Sequence, residues 1–370
     1  MFALCIFADF SKAFDTVDHL TLLQKLEDYG IRGLVLDFLK SYLTNRKQYI
    51  NANSSNSDYF EISYGVPQGS VLGPLFFNIY ANEISKLELN LDVVQYADDT
   101  VLMCSGTDLN ELVTKANNAL QMFYSWCCFN KLALNVNKTQ YILFSPAQSP
   151  FEPIITINGV PLERVAEYKY LGVIIDENLK FKSHINKIKT KLSQLCGITF
   201  KLTKFLTLDA AKTFYFSMVQ SVLSYNIVFW GASSKSLLDA LQRKQNIIVR
   251  NLFRHHFMDG LCTSKLFKAI KVLKISDFHL YSVGLTLFKT IHLNKFPLIY
   301  NAIVNQQWTH SYNTRRVEPF RLPTTRVDPD KNCFLFQALN LFNSLPRDIR
   351  EIDKINAFKR KLNLHLSSEY

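Results

Sequence analysis

The residues in this chain best equipped for chemistry are carboxylates. Asp98 and Asp99 stand side by side in "QYADDT", between the apolar runs "LDVV" and "VLMC". Adjacent acids repel, so they must be solvated or neutralised by something cationic. Taken alone, the segment reads as a solvated turn between two strands. A third acid, Asp9, closes the apolar run "FALCIFAD". If the three converge at one edge of an antiparallel sheet, they offer what hard divalent cations prefer. Mg2+ takes oxygen ligands, usually one or two carboxylates together with substrate phosphates. Two such ions about 3.5–4 Å apart can hold the attacking and leaving oxygens of a phosphoryl transfer.

The elements around these acids have to position them. "FALCIFAD" is near-continuously apolar, as in a strand buried on both faces. Asp18 has the place of a helix N-cap, for a helix carrying Leu20, Leu23 and Leu26 and ending near Gly30. A second helix runs through "LVLDFLKSYL". "KQYINAN" and "DYFEISYG" read as strands joined by the polar loop "SSNS". "VLGPLFFNIYANEISKL" reads as a helix with Pro74 in its first turn. "DVVQYADDTVLMCSG" reads as strand, two-residue tip, strand, with Asp98 and Asp99 at the tip. Apolar residues at 109, 112, 113, 116, 120 and 123 predict one further helix. "KTQYILFS" reads as a strand, and Asn158-Gly159 signals a hairpin turn. Past about residue 178 the strand pattern stops and helices follow. "TRRVEPFRLPTTRVDPD", residues 314–330, reads as an extended Pro- and Arg-containing connector.

The chain's 370 residues and 48% hydrophobic content predict a globular protein of two or three domains. Its net charge of +11 is unevenly spread. Residues 1–150 hold 10 Lys+Arg and 15 Asp+Glu, and the rest holds 32 and 16, so the halves carry −5 and +16. A basic second half is suited to a polyanion. Between Asn178 and Leu208 lie seven lysines and no acid. There, apolar positions 185, 188, 192, 195 and 196 form one helical stripe with the lysines on other faces. Seven cysteines show neither a CxxC pair nor zinc-ligand spacing, which fits a reducing compartment. "MFALCIFADF" lacks the basic start of a signal peptide. Thr213–Ser234 carries no charge but holds Ser217, Gln220, Ser221, Ser224 and Asn226, so a buried helix is expected and not a membrane span.

Five segments, in order, resemble the motifs of reverse transcriptases from non-long-terminal-repeat retrotransposons, of the Jockey and CR1 kind. They are "ADFSKAFDTVDH", "GVPQGSVLGPLFFNIYANEI", "QYADDT", "LALNVNKTQYILF" and "YKYLGVIID". The resemblance runs from residue 3 to about 180 and continues less sharply through "SYNIVFWG" and "LFNSLPRDIREIDKINAFKRKL". It implies an α+β fold: a polymerase palm of antiparallel sheet and packed helices, then a helical thumb and a helical C-terminal region. The expected domains are a palm with primer-grip hairpin over 1–178, a basic thumb-like region over 179–260 and a helical region over 261–370.

The resemblance also implies roles. Asp9, Asp98 and Asp99 would be catalytic, holding two Mg2+ ions (or Mn2+ in their place), with the Phe10 carbonyl as a further ligand. Phe14 matches the aromatic under the sugar of the incoming nucleotide, where a ring excludes a 2′-hydroxyl. Gln68 and Gly69 match the nucleotide-binding second motif. Lys138 matches a lysine that protonates or neutralises the leaving pyrophosphate, and reads equally as a surface lysine. Lys12 and Asp15 are as readily solvated or ion-paired. Tyr96, Leu171 and Gly172 would meet the primer. Lys182, Lys187, Lys189 and Lys191 would contact nucleic-acid backbone, a contact that sets register and carries no sequence information. Implied partners are an RNA template, a DNA primer and deoxynucleoside triphosphates, with no membrane. The implied location is intracellular, in nucleus and cytoplasm.

The chain starts at the first motif. The family's basic fingers, an upstream endonuclease and a Cys/His knuckle are not recognised in it. The expectation from this is a truncated chain with little polymerisation of its own. A catalytically silent remnant that only binds nucleic acid is the alternative. A palm-fold cyclase is disfavoured by the primer-grip and lysine-rich segments.

Overall fold

The computed structural model describes residues 1–145, 153–203, 205–257, 261–306, 320–323 and 332–368. Most of the 314–330 connector therefore lies outside the described residues. The chain forms two compact units, Met1–Tyr168 and Lys169–Tyr370. The division falls ahead of the boundary at 178 expected from the motifs.

The first unit is built on a five-stranded sheet. Its strands are β1 (Phe2–Ala8), β2 (Asp92–Tyr96), β3 (Asp99–Gly106), β4 (Gln140–Phe144) and β5 (Glu163–Arg164), in the order β5-β4-β1-β3-β2. β1 is central and antiparallel to both β3 and β4, and only β5 runs parallel to its neighbour. That central position explains the apolar run: Leu4, Ile6, Phe7 and Ala8 are all buried.

Four helices cover the sheet: α1 (His19–Asp28), α2 (Leu34–Leu43), α3 (Leu72–Ala81) and α4 (Leu109–Phe129). The N-cap expected at Asp18 is present, its carboxylate accepting from the Thr21 backbone N–H at 2.9 Å. α4 buries Leu112, Ala116, Leu120 and Phe123, the stripe its spacing predicted. α3 contributes Phe76, Phe77 and Tyr80, all fully buried. Each such side chain contributes about 1.5–3 kcal/mol by leaving water, so α3 is anchored although its first turn lacks a side-chain cap. The strands expected around "SSNS" pair as two short ladders, Arg46–Gln48 with Phe60–Ile62 and Asn51–Ala52 with Ser55–Asn56. The Asn158-Gly159 hairpin forms with both residues at positive φ.

The second unit opens within a hairpin, β6 (Glu167–Tyr170) and β7 (Val173–Asp176), and past Asp176 the described residues are helical, as expected. The lysine-bearing helix is α5 (Lys182–Leu202), burying Ile185, Ile188, Leu192 and Leu195. It packs with α6 (Lys235–Phe253) in a core that also holds Tyr215, Trp230 and Phe253. A separate core joins α7 (Ile275–Leu293), α8 (Phe334–Ser344) and α9 (Ile355–Leu366). This arrangement, a sheet with packed helices followed by a helical unit, bears out the α+β expectation.

The uncharged stretch 213–234 is not one helix. It passes through a π-helical turn at Tyr215–Gln220 and breaks at Tyr225–Asn226, where Asn226 takes φ 51°. Tyr215, Val219, Leu223, Ile227 and Trp230 are buried and Phe216, Met218 and Phe229 exposed. Among the described residues no helix is long and apolar enough to cross a membrane. All seven cysteines are free.

Candidate active site and strand-binding groove

Asp9 follows the last residue of β1. The β1–β3 ladder ends with Ala8 opposite Thr100. One further step in that register sets Asp9 against Asp99. The β2–β3 ladder ends with Tyr96 opposite Asp99. The hairpin tip is therefore Ala97-Asp98, and Asp99 is the first residue of the outgoing strand, a correction to the expected Asp98-Asp99 tip. The reason is geometric. A two-residue loop needs backbone at positive φ, and Ala97 supplies it with φ 53°.

Asp98 and Asp9 are each within electrostatic reach of Asp99. Asp99 holds its proton above the usual carboxylate range, first through burial and then through the negative charges of Asp98 and Asp9. Among the described residues, however, no three His, Cys, Asp or Glu side chains are drawn together closely enough to form a metal cage. The donor set still suits a hard cation: all oxygen, with mutual repulsion that a divalent ion would relieve.

The segment 133–139 braces Asp9. The Asp9 carbonyl accepts from Asn135 N–H at 2.8 Å, and Ser11 N–H donates to the Ala133 carbonyl at 2.7 Å. The Thr139 hydroxyl accepts from the Asp9 N–H at 3.3 Å. These bonds leave the Phe10 carbonyl outside the bridge, while the Phe10 side chain is buried against Phe123. Lys138 is exposed and adjoins Thr139, which places it one residue from the group that holds Asp9. Thr139 had no signal in the sequence, because its role depends on a chain crossing 130 residues away.

Phe14 sits in a 3-10 turn, Ala13–Asp15, with its ring 4.8 Å from that of Phe77. It is half-buried, so one part of the ring packs in the core and the rest faces out. Gly65 and Val66 are stitched to this turn: Gly65 N–H donates to the Val17 carbonyl and Val66 N–H to the Phe14 carbonyl, both at 2.8 Å. Gln68 is exposed and its amide donates to the Asp15 carboxylate at 2.8 Å. The structure thus joins the first and second motifs directly and gives Asp15 a partner. Lys12 is exposed at φ 51°. Gly69 takes φ 80° with open space around it. Tyr96 is exposed, and Ala97 and Asp98 half-buried.

In the second unit, Leu171 (φ 43°) and Gly172 (φ 86°) make the tight turn between β6 and β7. The Tyr225 hydroxyl donates to the Leu171 carbonyl, and a Cβ on Gly172 would lie 3.3 Å from the Tyr225 ring. Tyr225 is thus part of the turn's support, a role that the spacing did not signal. Beside it lies a groove of about 610 Å³, walled by Gly172, Tyr225 and the α5 residues His184, Lys187 and Lys191 among others. Lys182 and Lys189 are equally exposed but do not line it, because α5 turns about 200° over the two residues from Lys187 to Lys189.

Residues 3–175 match the model of a family described as reverse transcriptase (RNA-dependent DNA polymerase). The chain is 30% identical over 257 residues to the RNA-directed DNA polymerase from mobile element jockey of Drosophila funebris, covering 66% of this chain and 28% of that protein. It is 29% identical over 263 residues to the probable RNA-directed DNA polymerase from transposon BS of Drosophila melanogaster, at 66% and 28% coverage. A solved structure of telomerase from Candida tropicalis, in complex with a fragment of telomeric RNA, aligns with 80% of this chain and 48% of that one. Its identity is 12% and its TM-score 0.39. The chain spans about 28% of the length of the mobile-element relatives.

Proposed function

We propose that this chain is part of a reverse transcriptase of the non-long-terminal-repeat mobile-element kind, and that it carries the nucleotidyl-transfer site of an RNA-directed DNA polymerase. The observation that supports this best is the strand pairing that brings Asp9 and Asp98 to Asp99, whose pKa is raised first by burial and then by those two charges. These carboxylates and the Phe10 carbonyl are the groups to hold Mg2+. Bound there, divalent ions would activate the primer 3′-hydroxyl and neutralise charge building on the phosphates. What the chain's own residues do is position and exclude. Thr139 and Asn135 hold the Asp9 backbone in place. Phe14, backed by Phe77, presents a ring edge where a 2′-hydroxyl would sit. Gln68, oriented by Asp15, lines the nucleotide side with Gly69, whose lack of a side chain lets a ligand approach the backbone. Lys138, exposed beside Thr139, is the lysine assigned to the leaving pyrophosphate. Tyr96 flanks the primer end, and the Leu171-Gly172 turn takes the primer's sugar-phosphate chain.

The direct test is divalent-dependent extension of a DNA primer on an RNA template with deoxynucleoside triphosphates. Phe14→Val should raise the fraction of ribonucleotides incorporated by about tenfold, since a steric block of one hydroxyl is worth about 1–2 kcal/mol. It should also lower stability by about 1 kcal/mol through lost packing on Phe77. Unchanged discrimination between ribo- and deoxynucleotides would return Phe14 to the core.

Lys182, Lys187, Lys189 and Lys191 are assigned to nucleic-acid backbone. All four are exposed on a helix whose opposite stripe is buried. Each phosphate neutralised releases a counterion, so affinity should fall steeply with salt. Changing Lys187, Lys189 and Lys191 to Gln should reduce the slope of log affinity against log salt by about 0.9 for each true contact on duplex. An unaltered slope would leave them as a solvated face.

A further inference from the structure

The hairpin that carries Leu171 and Gly172 is tied down at its base and at its tip by different parts of the second unit. At the base, the Ile174 N–H donates to His184 Nδ1 on α5 at 3.3 Å. The Asp176 carboxylate accepts from the backbone N–H groups of Asn178, Lys180 and Phe181, which holds the entry into α5. At the tip, the Tyr225 hydroxyl donates to the Leu171 carbonyl, with the ring against Gly172. Tyr225 is 50% exposed, so burial alone does not hold it. Its backbone is held instead: the Trp230 indole N–H donates to the Tyr225 carbonyl at 2.8 Å.

Trp230 is fully buried, on the short helix Ile227–Trp230. That helix lies between two cores. Ile227 and Trp230 pack with α5 and α6, and Val228 packs with α7, α8 and α9. The grip from α7 is His279, which is 4% exposed. The Ile227 carbonyl can only accept, so His279 donates to it from Nδ1, at 2.9 Å. Its Nε2 meets the Gln337 side-chain amide of α8 at 2.6 Å. The approach is close, since a Cβ on Gly231 would lie 2.4 Å from His279 Nδ1. A Cβ on Gly284 of α7 would likewise lie 2.8 Å from Leu362 of α9. Packing this tight leaves α7 few other arrangements, so the place of His279 is set by the bundle.

We propose that the C-terminal bundle positions the primer-grip turn. Gln337 and His279 fix the Ile227–Trp230 helix, Trp230 fixes Tyr225, and Tyr225 sets Leu171-Gly172. The inference rests on reading that turn as a primer contact, and it gives α7, α8 and α9 a task that the motifs did not assign. The lysines of α5 need no such fixing, because an ammonium on a flexible stem follows its phosphate. A turn that offers its backbone to a primer must already be in place when the primer end arrives. Tyr225, His279 and Gln337 are positioning residues, acting on the primer end through the turn.

The test is hydrogen exchange on the full chain, followed in the peptide that carries Leu171 and Gly172. Tyr225→Phe deletes one hydroxyl from a half-exposed ring. Gln337→Met keeps the reach of the side chain and deletes its amide. Each should speed exchange at the turn about fivefold, the order expected for one hydrogen bond. The double variant should be no faster than the faster single one, since the two contacts act in series. Ile303→Ala, in the same core but on the helix Pro297–Val304, controls for lost stability. It should melt lower and leave the turn unchanged. In primer extension, Tyr225→Phe and Gln337→Met should each lower the rate about tenfold at saturating duplex, with duplex affinity kept within about twofold. Unchanged exchange at the turn in Tyr225→Phe would overturn the proposal at the tip. Multiplying effects in the double variant, or an equal effect of Ile303→Ala, would overturn the link to the bundle. If Gln337→Met does not fold, the reciprocal measurement decides, because coupling acts both ways. Tyr225→Phe should then speed exchange in the peptide carrying His279, and an unchanged peptide would overturn the link. An unsubstituted chain that extends no primer would sink the polymerase reading instead, while the exchange result stands.

Discussion

Asp98→Asn is expected to lower primer extension by about a hundred- to a thousandfold while leaving the fold intact. The substitution removes a ligand charge and keeps the volume. A metal's stabilisation of developing charge is worth several kcal/mol, and each 1.36 kcal/mol is a factor of ten. Asp9→Asn should behave alike. A readout independent of turnover is the melting temperature with and without Mn2+. The unsubstituted chain should gain stability on adding the ion, and Asp9→Asn and Asp98→Asn should gain less.

Asp99 adds a sign that only like-charge crowding predicts. Its folded carboxyl holds its proton above the usual range. As pH rises from the ordinary carboxylate value, the unfolded chain loses that proton first. Stability therefore falls through the window up to the raised folded value, and the penalty persists above it. At neutral pH without divalent ions, Asp99→Asn should melt slightly higher than the unsubstituted chain, with no difference below the ordinary carboxylate range. Added Mn2+ should narrow or reverse that gap. Full extension by Asp98→Asn would remove the metal assignment. A metal-free Asp99→Asn that is no more stable at neutral pH would remove the crowding.

The second large effect is on stability. Gly65→Ala should lower it by about 2–5 kcal/mol. Gly65 takes φ +79°, a region that costs a residue with a Cβ about 1–2 kcal/mol. The added Cβ would also lie 2.7 Å from the Asp15 Cα and carbonyl oxygen, which are backbone and cannot swing aside. Overpacking of that kind costs about 1–3 kcal/mol more. The Gly65 carbonyl also accepts from His19 at 2.7 Å, so a shift of Gly65 would be felt on α1 as well. Gly69→Ala is the control, with the same sign of φ, +80°, and nothing within 4 Å. It should cost only the conformational part. Equal melting temperatures for the two variants would mean that the close approach of the two motifs is not rigid. Because Phe14 and Gln68 lie on the two segments joined at this point, Gly65→Ala should also blur discrimination between ribo- and deoxynucleotides in whatever fraction stays folded.

Local signals in the chain were strong wherever a short stretch carried its own physics. Asp18 caps a helix because a carboxylate placed three residues before a free N–H satisfies it. Asn158-Gly159 turns because both residues accept positive φ. The buried stripes of α4 and α5 follow from 3.6-residue periodicity alone. "FALCIFAD" read as a strand covered on both faces, and it is the central strand of its sheet. The chemistry of Asp9, Asp98 and Asp99 was legible as a type of ligand, since adjacent acids between apolar strands need a reason.

Long-range placement was decided by tertiary structure. The pairing register of β1 with β3 sets Asp9 against Asp99, and the φ of Ala97 moves the hairpin tip back by one residue. Neither quantity is carried by residue types, since a strand pairs through its backbone and slides by its packing. Thr139 at Asp9, Gln68 on Asp15 and Gly65 against Asp15 join residues 50 or more positions apart. The break of 213–234 at Tyr225–Asn226 belongs here too: the Trp230 indole N–H donates to the Tyr225 carbonyl at 2.8 Å, and the Tyr225 hydroxyl reaches the Leu171 turn. Lysines 182, 187, 189 and 191 were alike as sequence. The helix turns two of them to the groove and two away.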